Sequence, residues 1–367
     1  MLMPVKPVAE LGQKIGGLPG GGPYVRPKPF IYGPVDERNA GQRRWCEQQG
    51  QVTAPDADVY LLENCFMCGG ILITSDQCIV GETLINRGHE ASFLGLTRHG
   101  PDVYEAVPSF FDREVINLKT GALLKQQWDG NYGHWLIEGL PRVAPLKEII
   151  DLNSTNFIVS GFGGKIRDVY LSSLKWCGIS LENIVFANDE LFFIERMLYV
   201  RPITMQPWVK APLAVDFLEE LGERIVQSGN LNGGNEKIFL LRPEAVRRPL
   251  LNIADVKEIF LENGYVGLQP YGLTFEQQVQ AFSKAKYIAG VLGAEFTNSV
   301  FSPPGVSLLG LAPEQMQDDF YWDLMAHKQG KYFCLHGESV GPSKDMNSPF
   351  TIDVVALRGI IKEFEKE

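Results

Sequence analysis

Long hydrophobic runs and dense basic clusters are absent from this sequence. No apolar run reaches the ~20 residues that a membrane-spanning helix needs. The stretch from Met1 to Pro7 lacks the charged head and apolar core of a signal peptide. No Lys/Arg-rich run offsets the formal net charge of -10, which argues against nucleic acid as a partner. We therefore expect a soluble, cytoplasmic protein, with peripheral contact at the inner face of a membrane left open.

Cysteine is also scarce, with 6 residues in 367. Cys65 and Cys68 form a C-x-x-C that Cys46 and Cys78 flank, which keeps a zinc site as an alternative, but no second close pair follows. Free, buried thiols are the favoured interpretation, because free cysteine commonly serves as a small core residue. Without a secretion signal, disulfides are not expected.

The composition and length of the chain are typical of a globular protein with about two domains. Hydrophobic residues make up 45% and charged residues 21% of the 367 residues, which is a normal balance. Short strands alternate with helices, which predicts the α/β class. The predicted domains are an extended Gly/Pro-rich arm with little helix or strand (1–50), an N-terminal domain (51–205) with a β-rich part (58–118) and an α/β part (125–205), a C-terminal α/β domain (206–335), and a tail with a last helix (336–367).

The stretch from Lys286 to Gly310 has the most informative pattern. An apolar run ending at Val291 predicts a buried strand, a small-residue turn follows it, and Pro303-Pro304-Gly305 ends a short helix before a second apolar run. This order predicts a parallel α/β sheet, in which ligands bind outside the carboxyl ends of the strands. Gly293 permits close backbone approach and a helix start favours phosphate, so the turn is either a phosphate site or an ordinary strand-to-helix turn.

A polar cluster lies between Asn131 and Arg142. On a helix, His134, Glu138 and Arg142 recur at i, i+4 and i+8 and share one face. A histidine beside a carboxylate can act as a general base near neutral pH. The alternative is a partly buried helix whose polar row forms a salt-bridged surface.

Arginines follow a predicted strand in the second α/β domain. Arg242 stands at the carboxyl end of that strand, with Arg247 and Arg248 just after it. A guanidinium at a strand end suits a diphosphate, because it binds phosphate oxygens in pairs. A solvated turn is the alternative, and one of Arg247 and Arg248 is expected to be a surface residue only.

Two helix starts can also be predicted in this domain. Asn252 is a preferred capping residue before a helix that is expected to run to about Asn263. Thr274 begins another helix with Gln277 three residues later, which is the spacing of a capping box.

In their order and spacing, these motifs resemble glycosyltransferase family 61, which contains bacterial capsule and lipopolysaccharide transferases and eukaryotic xylosyl- and N-acetylglucosaminyltransferases. The resemblance covers roughly Asp58 to Gly310. The motifs that carry it are Asn131-Tyr132-Gly133-His134-Trp135-Leu136 with Leu140-Pro141-Arg142, Leu241-Arg242 with Arg248 and Asn252, and Thr274-Phe275-Glu276-Gln277 leading to Gly293-Ala294-Glu295-Phe296-Thr297-Asn298 and Phe301-Ser302-Pro303-Pro304-Gly305.

The resemblance implies a fold and an activity. The fold would be GT-B-like, with two Rossmann-like domains facing a cleft and an N-terminal β-rich subdomain. The activity would be inverting, metal-independent transfer of a hexose, N-acetylhexosamine or pentose from a nucleotide sugar, with a UDP-sugar favoured and no cofactor. The acceptor would be a hydroxyl of an oligosaccharide or glycolipid in surface polysaccharide synthesis. The domain at 51–205 would bind the acceptor, and the domain at 206–335 would bind the donor.

The resemblance also implies site residues. His134 would be the catalytic base, with Glu138 and Glu295 as alternatives. The implied acceptor-side residues are Asn131, Tyr132 and Arg142. The implied donor-binding residues are Arg242, Arg248, Tyr271, Glu276, Gly293, Ala294, Thr297 and Asn298.

Two positions depart from the family pattern. Leu292 stands where the family often has a histidine before Gly-Ala, and Glu295 stands where the next residue is usually small. These departures imply an altered donor or a lost activity. The alternative function is therefore a non-catalytic glycan- or nucleotide-binding protein derived from such an enzyme.

Overall fold

The computed structural model describes residues 1–34, 51–84, 92, 94–126, 128–205, 209–229, 234–242, 247–316, 319–342 and 344–366. The chain divides into two compact units. One consists of Met1–Gly21 with Pro55–Thr204, and the other of Gly22–Ala54 with Met205–Glu367. The division after Thr204 lies next to the boundary expected after residue 205. The predicted domains, with the functions assigned to them, stay a prediction.

The elements have the following bounds. The strands are β1 (Leu2–Lys6), β2 (Gln13–Leu18), β3 (Pro23–Val25), β4 (Phe30–Tyr32), β5 (Gln51–Thr53), β6 (Ala57–Cys68), β7 (Ile71–Ile73), β8 (Ile79–Val80), β9 (Leu96–Gly100), β10 (Val103–Ala106), β11 (Val115–Leu123), β12 (Asn156–Ser160), β13 (Ile184–Ala187), β14 (Leu191–Val200), β15 (Thr204–Met205), β16 (Val209–Lys210), β17 (Lys237–Leu240), β18 (Val266–Leu268), β19 (Tyr287–Val291), β20 (Ser307–Pro313), β21 (Lys331–Ser339) and β22 (Phe350–Thr351). The α-helices are α1 (Val8–Leu11), α2 (Tyr132–His134), α3 (Val143–Lys147), α4 (Lys165–Trp176), α5 (Pro212–Gln227), α6 (Ile253–Glu262), α7 (Phe275–Phe282), α8 (Phe320–His327) and α9 (Val354–Phe364). A π-helical turn (Trp135–Gly139) and a 3-10 turn (Leu140–Arg142) join α2 to α3, and further 3-10 turns lie at Gly81–Thr83, Pro108–Phe110, Leu152–Ser154, Leu181–Asn183, Pro270–Gly272 and Ala294–Phe301.

The first unit is built on one large sheet. Its strand order is β13-β12-β11-β14-β6-β7-β8-β1-β10-β9, with β2 beside β6. Strands β13, β12, β11 and β14 run parallel, whereas β14 and β6 are antiparallel. Strand β12 is buried after its first residue, as expected of a parallel strand that is covered on both faces. The segment 132–147 connects β11 to β12, and α4 connects β12 to β13.

The first fifty residues contain more strand than the sequence predicts. Within the first unit, β1 pairs with β10 and β2 pairs with β6. Within the second unit, β3 pairs with β5 and β4 pairs with β21. The prediction of little helix or strand is therefore wrong for residues 1–34. Glycine and proline interrupt these strands and weaken their local pattern, and pairing with strands far away in the sequence stabilises them. Residues 35–50 lie outside the described part of the chain.

The second unit contains a doubly wound sheet. Its order is β18-β17-β19-β20-β21-β22, with β4 beside β21. Strands β17 to β21 are parallel, and in chain order they are arranged 2-1-3-4-5. The order of the strands reverses between β17 and β19, and such a switch point leaves a crevice for ligands outside the carboxyl ends of the two strands. The predicted α/β class is confirmed.

Both predicted helix starts are confirmed, since α6 begins after Asn252 and ends before Asn263 and α7 begins after Thr274, but the two side-chain caps differ in outcome. Thr274 Oγ1 accepts from Gln277 N at 3.2 Å and Gln277 Oε1 accepts from Thr274 N at 2.9 Å, which confirms the capping box of α7. Asn252 precedes α6, but its side chain donates to Ile352 O at 2.8 Å and accepts from Ile352 N at 3.1 Å. The predicted side-chain cap is wrong, because a backbone partner 100 residues away satisfies the amide instead.

Candidate functional site

In the first unit, polar side chains collect where β11 and β12 end. Lys125 and Gln126 follow β11, and Ser160 is the last residue of β12. The two strand ends are tied together, since Leu124 N and Lys125 N donate to Ile158 O at 3.0 and 2.9 Å. Because α/β sheets bind ligands outside the carboxyl ends of parallel strands, this edge is a candidate site.

A histidine and a glutamate form a close pair in the helical segment after β11. His134 Nδ1 lies 2.6 Å from Glu138 Oε1, and the two side chains are 22% and 8% exposed. An ionised carboxylate has no hydrogen to donate, so the contact assigns the proton to Nδ1 and leaves Nε2 as the acceptor. This is the arrangement of an imidazole base that an acid orients.

Gln126 links the glutamate to Arg142. Its Nε2 donates to Glu138 Oε2 at 2.5 Å, and its Oε1 accepts from Arg142 Nη2 at 2.7 Å. Glu138 and Arg142 are both buried, so the alternative of a salt-bridged surface row is wrong for these two residues. Glu138 lies in the π-helical turn, a feature that recurs at functional sites.

A second set of hydrogen bonds completes this edge. Ser160 Oγ donates to the carboxylate of Asp129 at 2.6 Å and accepts from Lys125 Nζ at 2.8 Å. Asp129 Oδ2 also accepts from Gln126 N at 3.1 Å. Burial raises the pKa of Asp129. Sequence reasoning missed these four residues, and the signal that could have found them is their position at or after the ends of parallel strands.

Trp128 lies beside the histidine. Its side chain is 52% exposed, and its ring centroid is 5.5 Å from that of His134. Its φ of 61° is in the left-handed region, which is rare for a bulky residue and marks a constrained turn.

The implied acceptor-side residues occupy different positions in this region. Asn131 is exposed and caps α2, because its Oδ1 accepts from Gly133 N at 2.8 Å. Tyr132 is half-buried at the start of α2. Arg142 is buried and donates to Gln126, which in turn donates to Glu138, the partner of His134.

In the second unit, an arginine and a glutamate meet at the switch point. Arg242 follows β17, and Glu295 lies in the 3-10 turn after β19. Arg242 Nε is 3.2 Å from Glu295 Oε1, and the side chains are 22% and 19% exposed. Arg242 Nη1 also donates to Arg247 O at 3.3 Å, whereas Arg247 itself is exposed. The pair therefore occupies the position where a doubly wound sheet binds its ligand.

Gly293 provides space at this position. Its φ is -170°, which any residue can adopt. A Cβ at this residue would lie 2.5 Å from Glu295 Oε2 and 2.8 Å from Oε1, so the carboxylate occupies the room above the glycine. Tyr321 OH donates to Gly293 O at 2.5 Å and holds the turn. A carboxylate of the same chain thus lies at the turn for which a phosphate site is one of the two alternatives that the sequence leaves open.

The remaining residues of the turn are mostly buried. Asn298 Nδ2 donates to Gln278 Oε1 at 3.0 Å and to Glu295 O at 3.2 Å, which ties the turn to α7. Thr297 is fully buried, and its Oγ1 has no hydrogen-bond partner within the described ranges. Ala294 is half-buried. In this structure Thr297 and Asn298 therefore support the turn from within the unit.

The other implied donor-binding residues follow β17 or β18. Arg248 is half-buried with a φ of 53°, and its backbone N donates to Asn347 O at 2.8 Å. Tyr271 is exposed in the 3-10 turn after β18, and Glu276 is half-buried in the first turn of α7. All three come after the carboxyl ends of strands at the same edge as Arg242. Their binding role stays a prediction.

The cysteines are thiols wherever the structure describes them. Cys65 and Cys68 lie three residues apart on β6 and pack into different hydrophobic clusters, because such residues point to opposite faces of a sheet. Burial raises the pKa of Cys65 to about 12 and that of Cys68 to about 11. Among the described residues, no group of three His, Cys, Asp or Glu is placed to hold a metal ion. The described free thiols are Cys65, Cys68, Cys78, Cys177 and Cys334, all buried except the half-buried Cys177, and Cys46 lies outside the described part.

Comparison with known proteins finds one family model that matches part of the chain. The family model Glycosyltransferase 61 matches residues 132–309. The matched range contains His134, Glu138 and Glu295 together with all the implied donor-binding residues, and it supports the resemblance to glycosyltransferase family 61. No curated protein matches the chain. None of the helices in the described ranges is long and apolar enough to cross a membrane.

Proposed function

We propose that this chain is an inverting glycosyltransferase that moves a sugar from a nucleotide sugar, with a UDP-sugar favoured, to a hydroxyl of a glycan. The family match over residues 132–309 supports glycosyltransferase activity. The observation that carries the proposal is the 2.6 Å contact of His134 with Glu138 beside the ends of β11 and β12. An oriented imidazole whose Nε2 can accept a proton is the base that a hydroxyl acceptor needs.

His134 acts as the general base in this proposal. Nε2 takes the proton of the acceptor hydroxyl while the acceptor oxygen attacks the anomeric carbon. The bond from that carbon to the diphosphate oxygen breaks, and attack from the opposite face inverts the anomeric configuration. Glu138 stabilises the imidazolium that forms. Glu138 is buried and Glu295 is paired with Arg242, so we give them supporting roles.

Arg242 acts on the donor. Its guanidinium exchanges the carboxylate of Glu295 for diphosphate oxygens and stabilises the negative charge that develops on the leaving group. Arg248, Tyr271 and Glu276, which follow β17 and β18, complete the nucleotide site. Because a guanidinium can neutralise a leaving diphosphate, we propose that the transfer is metal-independent.

The wider setting follows from the family resemblance. We infer a GT-B-like pairing of an acceptor domain with a donor domain. The acceptor would be an oligosaccharide or glycolipid, as in the synthesis of capsule or lipopolysaccharide. We place the enzyme in the cytoplasm, at the inner face of the membrane where such acceptors are built.

His134→Ala tests the base. We expect turnover to fall about 100-fold or more, which is the usual contribution of a general base, while donor binding is kept. Turnover is measured as nucleoside diphosphate release from a panel of nucleotide sugars, with and without chelator. His99 offers a matched control, because its Nε2 lies 2.6 Å from Glu105 Oε2 in a second, exposed pair of the same unit. His99→Ala should keep full turnover, and unchanged turnover in His134→Ala would remove His134 from the mechanism.

A non-catalytic glycan- or nucleotide-binding protein is the second candidate. The observation that favours it is the carboxylate of Glu295, which neutralises Arg242 and fills the space above Gly293. This reading predicts that the wild-type protein binds a nucleotide or a glycan but neither transfers sugar nor hydrolyses any donor in the panel.

A further inference from the structure

Glu295 sets the charge at the site proposed for the donor, and the inference drawn from it rests on the proposed function. Arg242 and Glu295 bring opposite unit charges together at 3.2 Å, so this spot is close to neutral before a ligand arrives. Glu295 Oε2 also lies closest to the position that a Cβ of Gly293 would take, at 2.5 Å. Any phosphate that binds Arg242 there must meet this carboxylate or displace it.

The carboxylate can move without disturbing the turn. The backbone of the turn is held separately, by Tyr321 OH on Gly293 O at 2.5 Å and by Asn298 Nδ2 on Glu295 O at 3.2 Å. The side chains of the ion pair are about one-fifth exposed, at 22% and 19%, so solvent and small anions reach them. Ion pairs that are open to water contribute little to stability. The contact is therefore one that a ligand can open.

The substrate and the product of glycosyl transfer differ in charge. The diphosphate of a nucleotide sugar is esterified at both ends and carries about two negative charges. The terminal phosphate of the released nucleoside diphosphate gains about one more near neutral pH, because the second pKa of a phosphate monoester is about 6. A carboxylate at the position of that terminal phosphate repels the additional charge.

We propose that Glu295 is a specificity-determining residue that makes the site prefer the nucleotide sugar over the free nucleoside diphosphate. The carboxylate of Glu295 repels the sugar-linked phosphate only weakly, so this phosphate reaches Arg242. The terminal phosphate of the product carries an additional negative charge, so Glu295 repels it more strongly and the product is released. The glutamate next to Gly293-Ala294 thereby gains a role in product release.

Glu295→Gln tests this role, because it keeps the size of the side chain and removes its charge. Calorimetric titration in chelator compares UDP, UDP-glucose and inorganic pyrophosphate, and pyrophosphate makes the test independent of the base and the sugar. We expect the variant to bind pyrophosphate and UDP about tenfold more tightly, and UDP-glucose less than about threefold more tightly. Glu262→Gln is the matched control, since it makes the same charge change at an exposed pair in which Arg358 Nη1 lies 2.6 Å from Glu262 Oε2.

Three results overturn the inference. Pyrophosphate binding that Glu295→Gln leaves unchanged or weakens shows that the carboxylate does not oppose phosphate. Equal tightening of UDP and UDP-glucose shows that it does not sense the additional charge. Absence of pyrophosphate binding in both proteins shows that Arg242 forms no phosphate site. The His134→Ala result is independent of all three, so a large loss of turnover there keeps the transferase while this inference falls.

Discussion

Gln126 helps to hold His134, the candidate base, and its partner Glu138 in place. Its amide donates to Glu138 and accepts from Arg142, at 2.5 and 2.7 Å, so one side chain satisfies two buried groups of opposite charge. The amide orients the carboxylate, and the carboxylate in turn orients His134. In the proposed mechanism Gln126 is therefore a positioning residue that acts through Glu138.

Gln126→Ala should weaken both folding and turnover. It leaves the buried Glu138 and Arg142 each short of a partner, which costs about 1–3 kcal/mol in the free energy of unfolding. We expect kcat to fall about tenfold, because Glu138 loses its fixed position beside His134. The KM for the donor should stay unchanged, because the change does not touch the proposed donor site at Arg242. Urea unfolding and steady-state kinetics measure the two effects.

Gln315→Ala is the control for this prediction. Gln315 is a similar amide bridge in the second unit, where its Nε2 donates to Glu314 Oε1 at 2.7 Å and its Oε1 accepts from Ser339. It should lower stability and leave kcat unchanged. If kcat followed stability equally in both variants, Gln126 would have a structural role only.

Site residues were predictable where their partners are close in sequence. His134 and Glu138 pair as their i, i+4 spacing predicts. Ser160 was missed because it contacts Asp129 only when the ends of β11 and β12 meet. Gln126 and Asp129 were missed although they are three positions apart, because no local pattern marks their contact. The partner of Arg242 was equally hidden, since Glu295 reaches it across the switch point of the sheet.

At the scale of elements, helix α8 carries a buried charge cluster. Asp323 is fully buried and accepts from Tyr24 OH at 2.7 Å and from Lys210 N at 2.8 Å. Arg26 Nη1 lies 3.6 Å from the same carboxylate. The cluster fixes β3 and the chain after it within the second unit, and buried charges of this kind are tolerated only when they are paired.

His327, at the end of α8, makes this cluster sensitive to pH. Burial lowers its pKa from 6.5 to about 4, the charges of Lys210 and Arg26 act in the same direction, and the charge of Asp323 and a hydrogen bond to the Lys210 backbone oppose them. Between these values the unfolded chain binds a proton that the folded chain excludes. The contribution of this histidine to the free energy of unfolding is therefore fully present above pH 6.5. It is lost as the pH drops toward 4, at about 1.36 kcal/mol per pH unit and by roughly 3 kcal/mol in total.

His327→Gln should flatten this dependence. Between pH 7 and pH 4, we expect the variant to lose about 3 kcal/mol less of its unfolding free energy than the wild type loses. Urea unfolding at several pH values measures the difference. His99→Gln changes an exposed histidine and should keep the full slope. Parallel curves for the wild type and His327→Gln would contradict the prediction.

Elements were predictable to the extent that their signals are local. The capping box of α7 and the strand-turn-helix-strand order after Lys286 depend on neighbours in the sequence, and both are present. Strands β3 and β4 were missed because their support is remote, as the contact of Tyr24 with Asp323 across 299 positions shows. The amide of Asn252 was misassigned for the same reason.

At the scale of the whole molecule, charge works against the proposed ligand. The formal net charge is -10, so the long-range field repels a nucleotide diphosphate. The proposed affinity must therefore come from short-range contacts, and Arg242 at the switch point is one described cation placed to make them. The candidate base belongs to the other compact unit, so the proposed mechanism assigns donor binding and proton transfer to separate parts of the chain.

Arg242→Gln should show the opposite pattern to His134→Ala. It removes charge-assisted hydrogen bonds worth about 1.5–3 kcal/mol, so we expect nucleoside diphosphate affinity to fall about 10- to 100-fold by calorimetry. Stability should change by less than about 1 kcal/mol, because the pair with Glu295 is partly exposed. Arg358→Gln, at the exposed pair with Glu262, controls for loss of a positive charge.

The two variants together test whether the units divide the reaction. His134→Ala should keep donor binding and lose turnover, whereas Arg242→Gln should lose donor binding and with it turnover at low donor concentration. Wild-type affinity in Arg242→Gln would place the diphosphate elsewhere on the chain. Loss of binding in both variants, without loss of folded protein, would mean that the donor contacts His134 directly, and the base would then have to be sought among the other residues at the ends of β11 and β12.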